Sequence, residues 1–294
     1  IANYKKLEKN VLKFQPDIIY HLAAQSLVKK SIINPIETLK TNIIGTANIL
    51  NCINKLNKKT ISVIITSDKC YQNLSLLRGY REEDRLGGHD PYSASKASAE
   101  IVFKSYYNSI LKKNKKIRIA TARAGNVIGG GDWSQDRLVP DCVKAWASNR
   151  KVYIRNPNST RPWQHVLDPI TGYLILGAKQ REALKGKDKS EILRTCGAYN
   201  FGPFLNSNVS VKNLIKEVLK HWPGKFEISK ETNPLHEAAK LNLAWDKAYH
   251  LLSWYPKWDL EKTIKFTVNW YKKVLLENLD PKECTIENIQ DYFS

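Results

Sequence analysis

Three short apolar runs, separated by stretches of helical period, constrain the fold of this chain more than any other feature of it. Ile18 to Ala24, Ile61 to Thr66 and Ile117 to Ala124 are too short for buried helices, and the first and last end in small residues. Such runs read as strands buried on both faces. Between the first two lies a helix pattern from about Pro35 to Leu56, with Ile36, Leu39, Ile43, Ala47 and Leu50 on one face. Between the second and third, Asp90-Pro91 supplies an N-cap and a proline at the first helical position, opening a helix that runs to about Leu111. Connections of that length are crossovers rather than hairpins, so the strands are parallel and the fold is α/β with a doubly wound sheet.

The flanks carry the same punctuation. Residues 1–15 read as an amphipathic helix that enters a strand at once. Beyond Gly125 come a glycine loop ending at Trp133 and a helix over Leu138 to Ala147. Asp168-Pro169 repeats the cap-and-proline start, Ala198 to Gly202 is a short strand, and Ser210 caps a helix reaching Trp222. The last third is helical and aromatic, with Trp254, Trp258 and Trp270.

The sequence has 47 Lys+Arg against 28 Asp+Glu, a net charge of +19 over 294 residues. That excess either coats a solvated surface or faces an anionic partner, a phosphorylated small molecule or a nucleic acid. Lysine is spread through nearly every helix rather than gathered with interleaved aromatics, which disfavours nucleic acid. Five cysteines without a Cys-x-x-Cys pair argue against a disulfide framework or a metal site and fit a reducing cytoplasm. No apolar run approaches the roughly 18 residues that a membrane span requires.

Chemistry-bearing residues gather in two places. Ser67, Asp68 and Lys69 lie just past the strand Ile61 to Thr66, at the end where open α/β sheets collect their catalytic groups. Tyr92 and Lys96 stand four apart on a helix, on one face. A phenol titrates near ~10 in isolation, and a neighbouring ammonium favours its ionised form. The pair therefore reads as a tyrosine base with its supporting cation.

With these residues in view, the chain resembles the extended short-chain dehydrogenase/reductase family of nucleotide-sugar enzymes. His21-Leu-Ala-Ala-Gln-Ser26, Thr41-Asn42 with Gly45-Thr46, Tyr92-x-x-x-Lys96 and Arg123-x-x-Asn126 follow the family's order along nearly the whole chain. Ser67-Asp68-Lys69-Cys70-Tyr71 is similar to the dehydratase branch, where Thr-Asp-Glu is usual and one subgroup has Lys in place of Glu. The strings Gly87 to Lys96, Gly125 to Trp133 and Thr160 to Val166 resemble the subgroup that acts on CDP-glucose.

The resemblance implies a Rossmann-type sheet with a smaller, mainly helical substrate domain. Residues 1–136, rejoined by 165–202, would be the dinucleotide half; 137–164 and 203–294 would bind substrate. It implies NAD as cofactor, an internal redox dehydration of CDP-glucose to the 4-keto-6-deoxy sugar, and a homodimer or dimer of dimers. By the family pattern Ser67, Asp68, Lys69, Tyr92 and Lys96 are catalytic. Ala23, Ala24, Gln25, Asn42 and Ala124, with Tyr92 and Lys96, would meet the cofactor. Asn126, Arg137, Leu138, Arg155, Arg161 and His236 would meet the substrate. Guanidinium forks suit a diphosphate better than lysine does. His21 reads as a hydrogen-bonded core histidine, and Trp133 and Trp163 as packing residues or base platforms.

One departure is large. The Gly-x-x-Gly-x-x-Gly turn that cradles a dinucleotide pyrophosphate does not occur in this sequence. At ~30 residues per βαβ unit, roughly 60 residues of such a fold are unaccounted for. The expectation is a sheet lacking its first strands, and a chain that by itself binds no NAD and is inactive. Two other readings stand beside this one. A sugar epimerase on the same scaffold would need no acid–base pair beside Ser67. A catalytically silent relative would bind nucleic acid through the basic surface.

Overall fold

The computed structural model describes residues 1–186, 190, 194–229 and 241–294. In chain order its first half runs α1 (Tyr4–Phe14), β1 (Ile18–His21), α2 (Val28–Ile33), α3 (Pro35–Leu39), a π-helical turn (Lys40–Ile44), α4 (Gly45–Asn54), β2 (Thr60–Ile65), α5 (Pro91–Ser109) and β3 (Ile117–Arg123). The second half has β4 (Val127–Ile128), α6 (Leu138–Ala147), β5 (Val152–Ile154), β6 (Thr160–Pro162), β7 (Gln164–His165), α7 (Leu167–Lys185) and β8 (Gly197–Asn200). There follow β9 (Asn208–Ser210), α8 (Val211–His221), β10 (Phe226–Ile228), α9 (Asp246–Leu252), α10 (Leu260–Leu275) and α11 (Pro281–Phe293).

β1, β2, β3 and β8 form one sheet in that order, every pair parallel. Alternation along the strands divides its faces. Ile64, Ile117 and Ile119 pack with Ile49, Leu50 and Ile53 of α4 and Phe103 of α5. Val63, Ala120 and Ala122 pack on the other side with Tyr173 and Leu176 of α7 and with Phe201 and Trp254. Alanines on that side let α7 approach closely. A separate core under α6, β5, α8 and α10 is built from Val143, Trp146, Leu214, Ile264 and Trp270.

The expected strands and helices lie within a few residues of their places, with two informative differences. The stretch from Pro35 is not one uniform α-helix, because it widens into a π turn at Lys40–Ile44. That turn swings Asn42 inward, where its amide donates to Gln25 O (2.9 Å) and Ser95 Oγ (2.8 Å) and its carbonyl accepts from Gln25 N (2.8 Å). Nor does Asp168 cap a helix. The helix begins at Leu167, and the Asp168 carboxylate instead accepts from Lys257 N (2.8 Å) and the Tyr292 hydroxyl (2.7 Å), tying α11 to α7.

Candidate active site

The end of β2 delivers the reactive residues. Asp90 caps α5 by accepting from Ser93 N (3.0 Å), and Pro91 follows at the first helical position. Tyr92 thus sits in the first turn, its own N–H held by Ser31 Oγ at 3.1 Å. Past β2 the chain closes a single 3-10 turn over Asp68–Cys70, with Ser67 as its cap. The Ser67 hydroxyl donates to Asp68 Oδ1 at 2.9 Å and lies near enough to the Tyr92 phenol to act on its acidity. Phenol, hydroxyl and carboxyl therefore form one connected set.

Asp68 is 1% exposed, and its backbone N–H is anchored to Ala124 O at 3.0 Å. Its Oδ2 is buried and meets no partner among the described residues. Gly125 explains the fit. A Cβ there would lie 2.0 Å from Asp68 Oδ2, so only glycine leaves room for the carboxyl.

Burial pushes the Tyr92 phenol up to about 12; Asp68 and Asp90 add to the rise, while Ser67 and Arg137 oppose it. Lys96 is buried as well, and burial pulls its amine down to about 8. The spacing of Tyr92 and Lys96 suggested an ammonium lying against the phenol. The ammonium donates to Ile65 O at 3.4 Å.

Beneath the site lies a buried ion pair that the sequence reading did not single out. Arg123 Nη2 meets Glu100 Oε2 at 2.8 Å, with side chains 4% and 2% exposed. Glu100 also accepts from Thr66 Oγ1 (2.5 Å) and Thr121 Oγ1 (2.9 Å). Burial opposes its charge, but Arg123 and these donors hold it below the usual range. Arg123 reaches on to the Tyr71 hydroxyl at 2.7 Å, and Tyr71 to Asn200 Oδ1 at 2.7 Å, joining β2, α5, β3 and β8. Arg123 in Arg123-x-x-Asn126 was the available clue; its partner on α5 was not visible in one dimension.

A cleft of about 1110 Å³ opens over this floor. Ser67, Asp68, Lys69, Tyr92 and Ala124 line it, together with Asn126, Arg137, Leu138, Arg155 and Arg161. Asn126 holds a left-handed backbone, φ 42°, and its Nδ2 is buried without a partner among the described residues. Arg137 and Arg155 reach Asp132 (3.6 Å) and Asp136 (3.3 Å), while Arg161, 9% exposed, donates to Thr160 O. Other expected contacts lie outside the cleft. Asn42 and Gln25 are buried and spend their polar groups on internal bonds, Gln25 Nε2 donating to Thr38 Oγ1 at 2.8 Å. Ala23 is exposed and Ala24 half-buried just past β1. His236 lies outside the described residues.

His21 is a core residue paired with Thr46 Oγ1 at 3.4 Å. Trp163 is buried in the wall of the cleft, and Trp133, partly exposed, packs edge-on against Tyr271 with ring centroids 5.2 Å apart. Among the described residues no His/Cys/Asp/Glu group has metal-site geometry, and no helix is long and apolar enough to cross a membrane.

Comparison with known proteins bears on this geometry. Residues 1–267 match a family model described as GDP-mannose 4,6 dehydratase. The CDP-glucose 4,6-dehydratase of Salmonella typhimurium is 39% identical, covering 100% of this chain and 81% of that protein. The dTDP-D-glucose 4,6-dehydratase of Mus musculus is 26% identical over 87% of this chain and 68% of its own. Among solved structures, the UDP-glucose 4-epimerase of Thermotoga maritima, determined with UDP-glucose, has a TM-score of 0.74 at 21% identity, covering 93% of this chain and 83% of that one. RMD from Pseudomonas aeruginosa, complexed with NADPH, has a TM-score of 0.73 at 18% identity over 92% and 86%. The structural likenesses speak to the α/β fold, which serves several chemistries. The family match and the full-length 39% identity go further: the chain belongs to the GDP-mannose 4,6 dehydratase family, the nucleotide-sugar dehydratase branch of the extended short-chain dehydrogenases/reductases.

Proposed function

We propose that this chain carries the catalytic and substrate-binding residues of an NAD-dependent dehydratase converting CDP-glucose to CDP-4-keto-6-deoxyglucose. The observation that carries the reading is the connected set Tyr92–Ser67–Asp68 in a cleft whose walls also present Arg137, Arg155 and Arg161.

The fit to the cofactor is uneven. Lys96 is a buried amine with three donors and one hydrogen bond among the described residues. Ala124 keeps the nearby wall of the cleft small. Lys96 and Tyr92 would hold the ribose of the nicotinamide end, with Ala124 beside the ring. The glycine-rich turn for the pyrophosphate does not occur in the sequence, so these residues fit the nicotinamide end alone. When bound, NAD supplies a reversible two-electron acceptor for the sugar.

The remaining steps belong to the chain. Tyr92 takes the proton of the sugar 4-hydroxyl, relayed or steadied by the Ser67 hydroxyl that lies near its oxygen. The 4-ketone so formed acidifies C5–H; Lys69 at the cleft wall, acting as the free amine, takes that proton as the 6-hydroxyl leaves and returns it to C5 when the hydride returns to C6. Asp68, whose Oδ2 is buried without a partner among the described residues, protonates the departing 6-hydroxyl. The arginines grip the diphosphate and set the sugar's depth. Asp68 and Lys69 favour this reading over epimerisation, which requires no elimination.

The test is conversion of CDP-glucose, with NAD, by the chain carrying a glycine-rich strand–turn–helix ahead of Ile1. Wild type is expected to yield the 4-keto-6-deoxy product, read by its absorbance in base. Interconversion of the sugar with its C4 epimer, without loss of water, would favour the epimerase instead.

A further inference from the structure

We infer that Asp141 selects the base of the nucleotide substrate by accepting a hydrogen bond from its exocyclic amino group, so that the site takes cytosine and turns away uracil. The inference rests on the CDP-glucose reading and names the residue that reads its base.

The main cleft adjoins a second cavity of about 710 Å³. Three residues line both: Gln135, Asp141 and Tyr153. Arg137 and Arg155 of the main cleft stand two residues beyond Gln135 and Tyr153, at the start of α6 and the end of β5, which puts the junction on their side of the cleft. A nucleotide whose sugar reaches Tyr92 and whose diphosphate meets the arginines has only its base left to place, and the junction is where the walls continue.

The three residues differ in what they can distinguish. Tyr153 is 66% exposed, on a strand whose neighbours Val152 and Ile154 are buried, so its ring stands out as a flat platform. Every base has a π-face, and a platform adds affinity without choosing among them. Gln135 carries both a donor and an acceptor and can turn its amide to suit either edge. Asp141 cannot. An ionised carboxylate only accepts, so it matches the 4-amino group of cytosine and opposes the 4-carbonyl of uracil lone pair to lone pair.

Asp141 is also short of a partner. Its carboxylate is half-buried and makes no hydrogen bond or ion pair among the described residues. Burial pushes its pKa up, as do Asp136 and Asp132, against the pull of Lys144 and Arg155. An amino group in the junction supplies the donor that this anion lacks.

Calorimetric titration of the chain with CDP and with UDP, which differ at the pyrimidine N3–C4 edge alone, tests the assignment without any need for turnover. Wild type is expected to bind CDP at least about tenfold more tightly. Asp141→Asn, whose amide can face either base, is expected to narrow that preference to within about threefold. Arg161→Lys is expected to weaken both nucleotides alike and leave the preference intact. Equal binding of CDP and UDP by wild type overturns the inference, and so does an unchanged preference in Asp141→Asn; in either case the diphosphate site still stands. Wild type binding neither nucleotide removes the nucleotide reading and the inference with it. The comparison within wild type holds even if Asp141→Asn melts early, which circular dichroism reports.

Discussion

The carboxyl of Asp68 is held on three sides, by Ser67 Oγ on Oδ1, by its own N–H on Ala124 O, and by the bare Cα of Gly125 against Oδ2. If Asp68 is the acid that expels the 6-hydroxyl, Asp68→Asn keeps this shape and removes the proton. Elimination is then expected to slow by ~100-fold or more while oxidation at C4 persists. Reduced cofactor accumulating during turnover, seen by its absorbance, would report that split; an unchanged steady rate would remove Asp68 from the role. Gly125→Ala tests the same carboxyl by volume, because the added methyl must displace it. Comparable loss of elimination is expected, with substrate binding nearly unchanged. Much of this was legible in the sequence, since Ser67, Asp68 and Tyr92 stand where a strand end and a helix start predict. The direction of the Lys96 side chain was not, because spacing defines a shared face and leaves four rotatable bonds undecided.

At the scale of elements, the strands and capped helices follow from apolar runs, Asp90-Pro91 and Ser210. Two features escaped. The π turn at Lys40–Ile44 adds a residue to a helical repeat without breaking its apolar face, so periodicity reads straight through it. Asp168-Pro169 has the look of a cap, but tertiary partners Lys257 and Tyr292 claim the carboxylate. The ion pair Glu100–Arg123 joins α5 to β3 and bonds to β2 through Thr66. Arg123→Leu leaves Glu100 charged and buried, and is expected to cost about 3–5 kcal/mol in urea unfolding. Adding Glu100→Leu should recover much of that loss, because two apolar side chains no longer strand a charge. A double variant as unstable as the single one would show that the pair's hydrogen bonds matter more than its charge.

For the molecule as a whole, two buried histidines predict how it fails in acid. Burial, with Lys96 adding, lowers His21 to about 4, and burial lowers His165 to about 3. The unfolded chain takes up these protons near 6.5 while the folded chain refuses them, so stability falls as pH drops from about 6.5 towards 4 and, for His165, towards 3. Each pKa unit of difference is about 1.36 kcal/mol, so the combined loss is on the order of several kcal/mol. Urea midpoints between pH 7 and 4 check this, and His165→Gln should flatten the slope. The +19 charge makes a separate prediction. If it is mainly solvated surface, an oligonucleotide should be retarded weakly in a gel and released by modest salt; tight retention at physiological salt would support a nucleic-acid role instead. The proposed activity requires that one cleft join this acid–base set to a diphosphate grip for CDP-glucose. Its most direct measurement is product formation from CDP-glucose and NAD by the chain completed with a glycine-rich turn, run beside Asp68→Asn. Wild type is expected to form the 4-keto-6-deoxy product and Asp68→Asn almost none; wild type that binds CDP-glucose and NAD yet forms no product, or a variant as fast as wild type, would contradict the proposed activity.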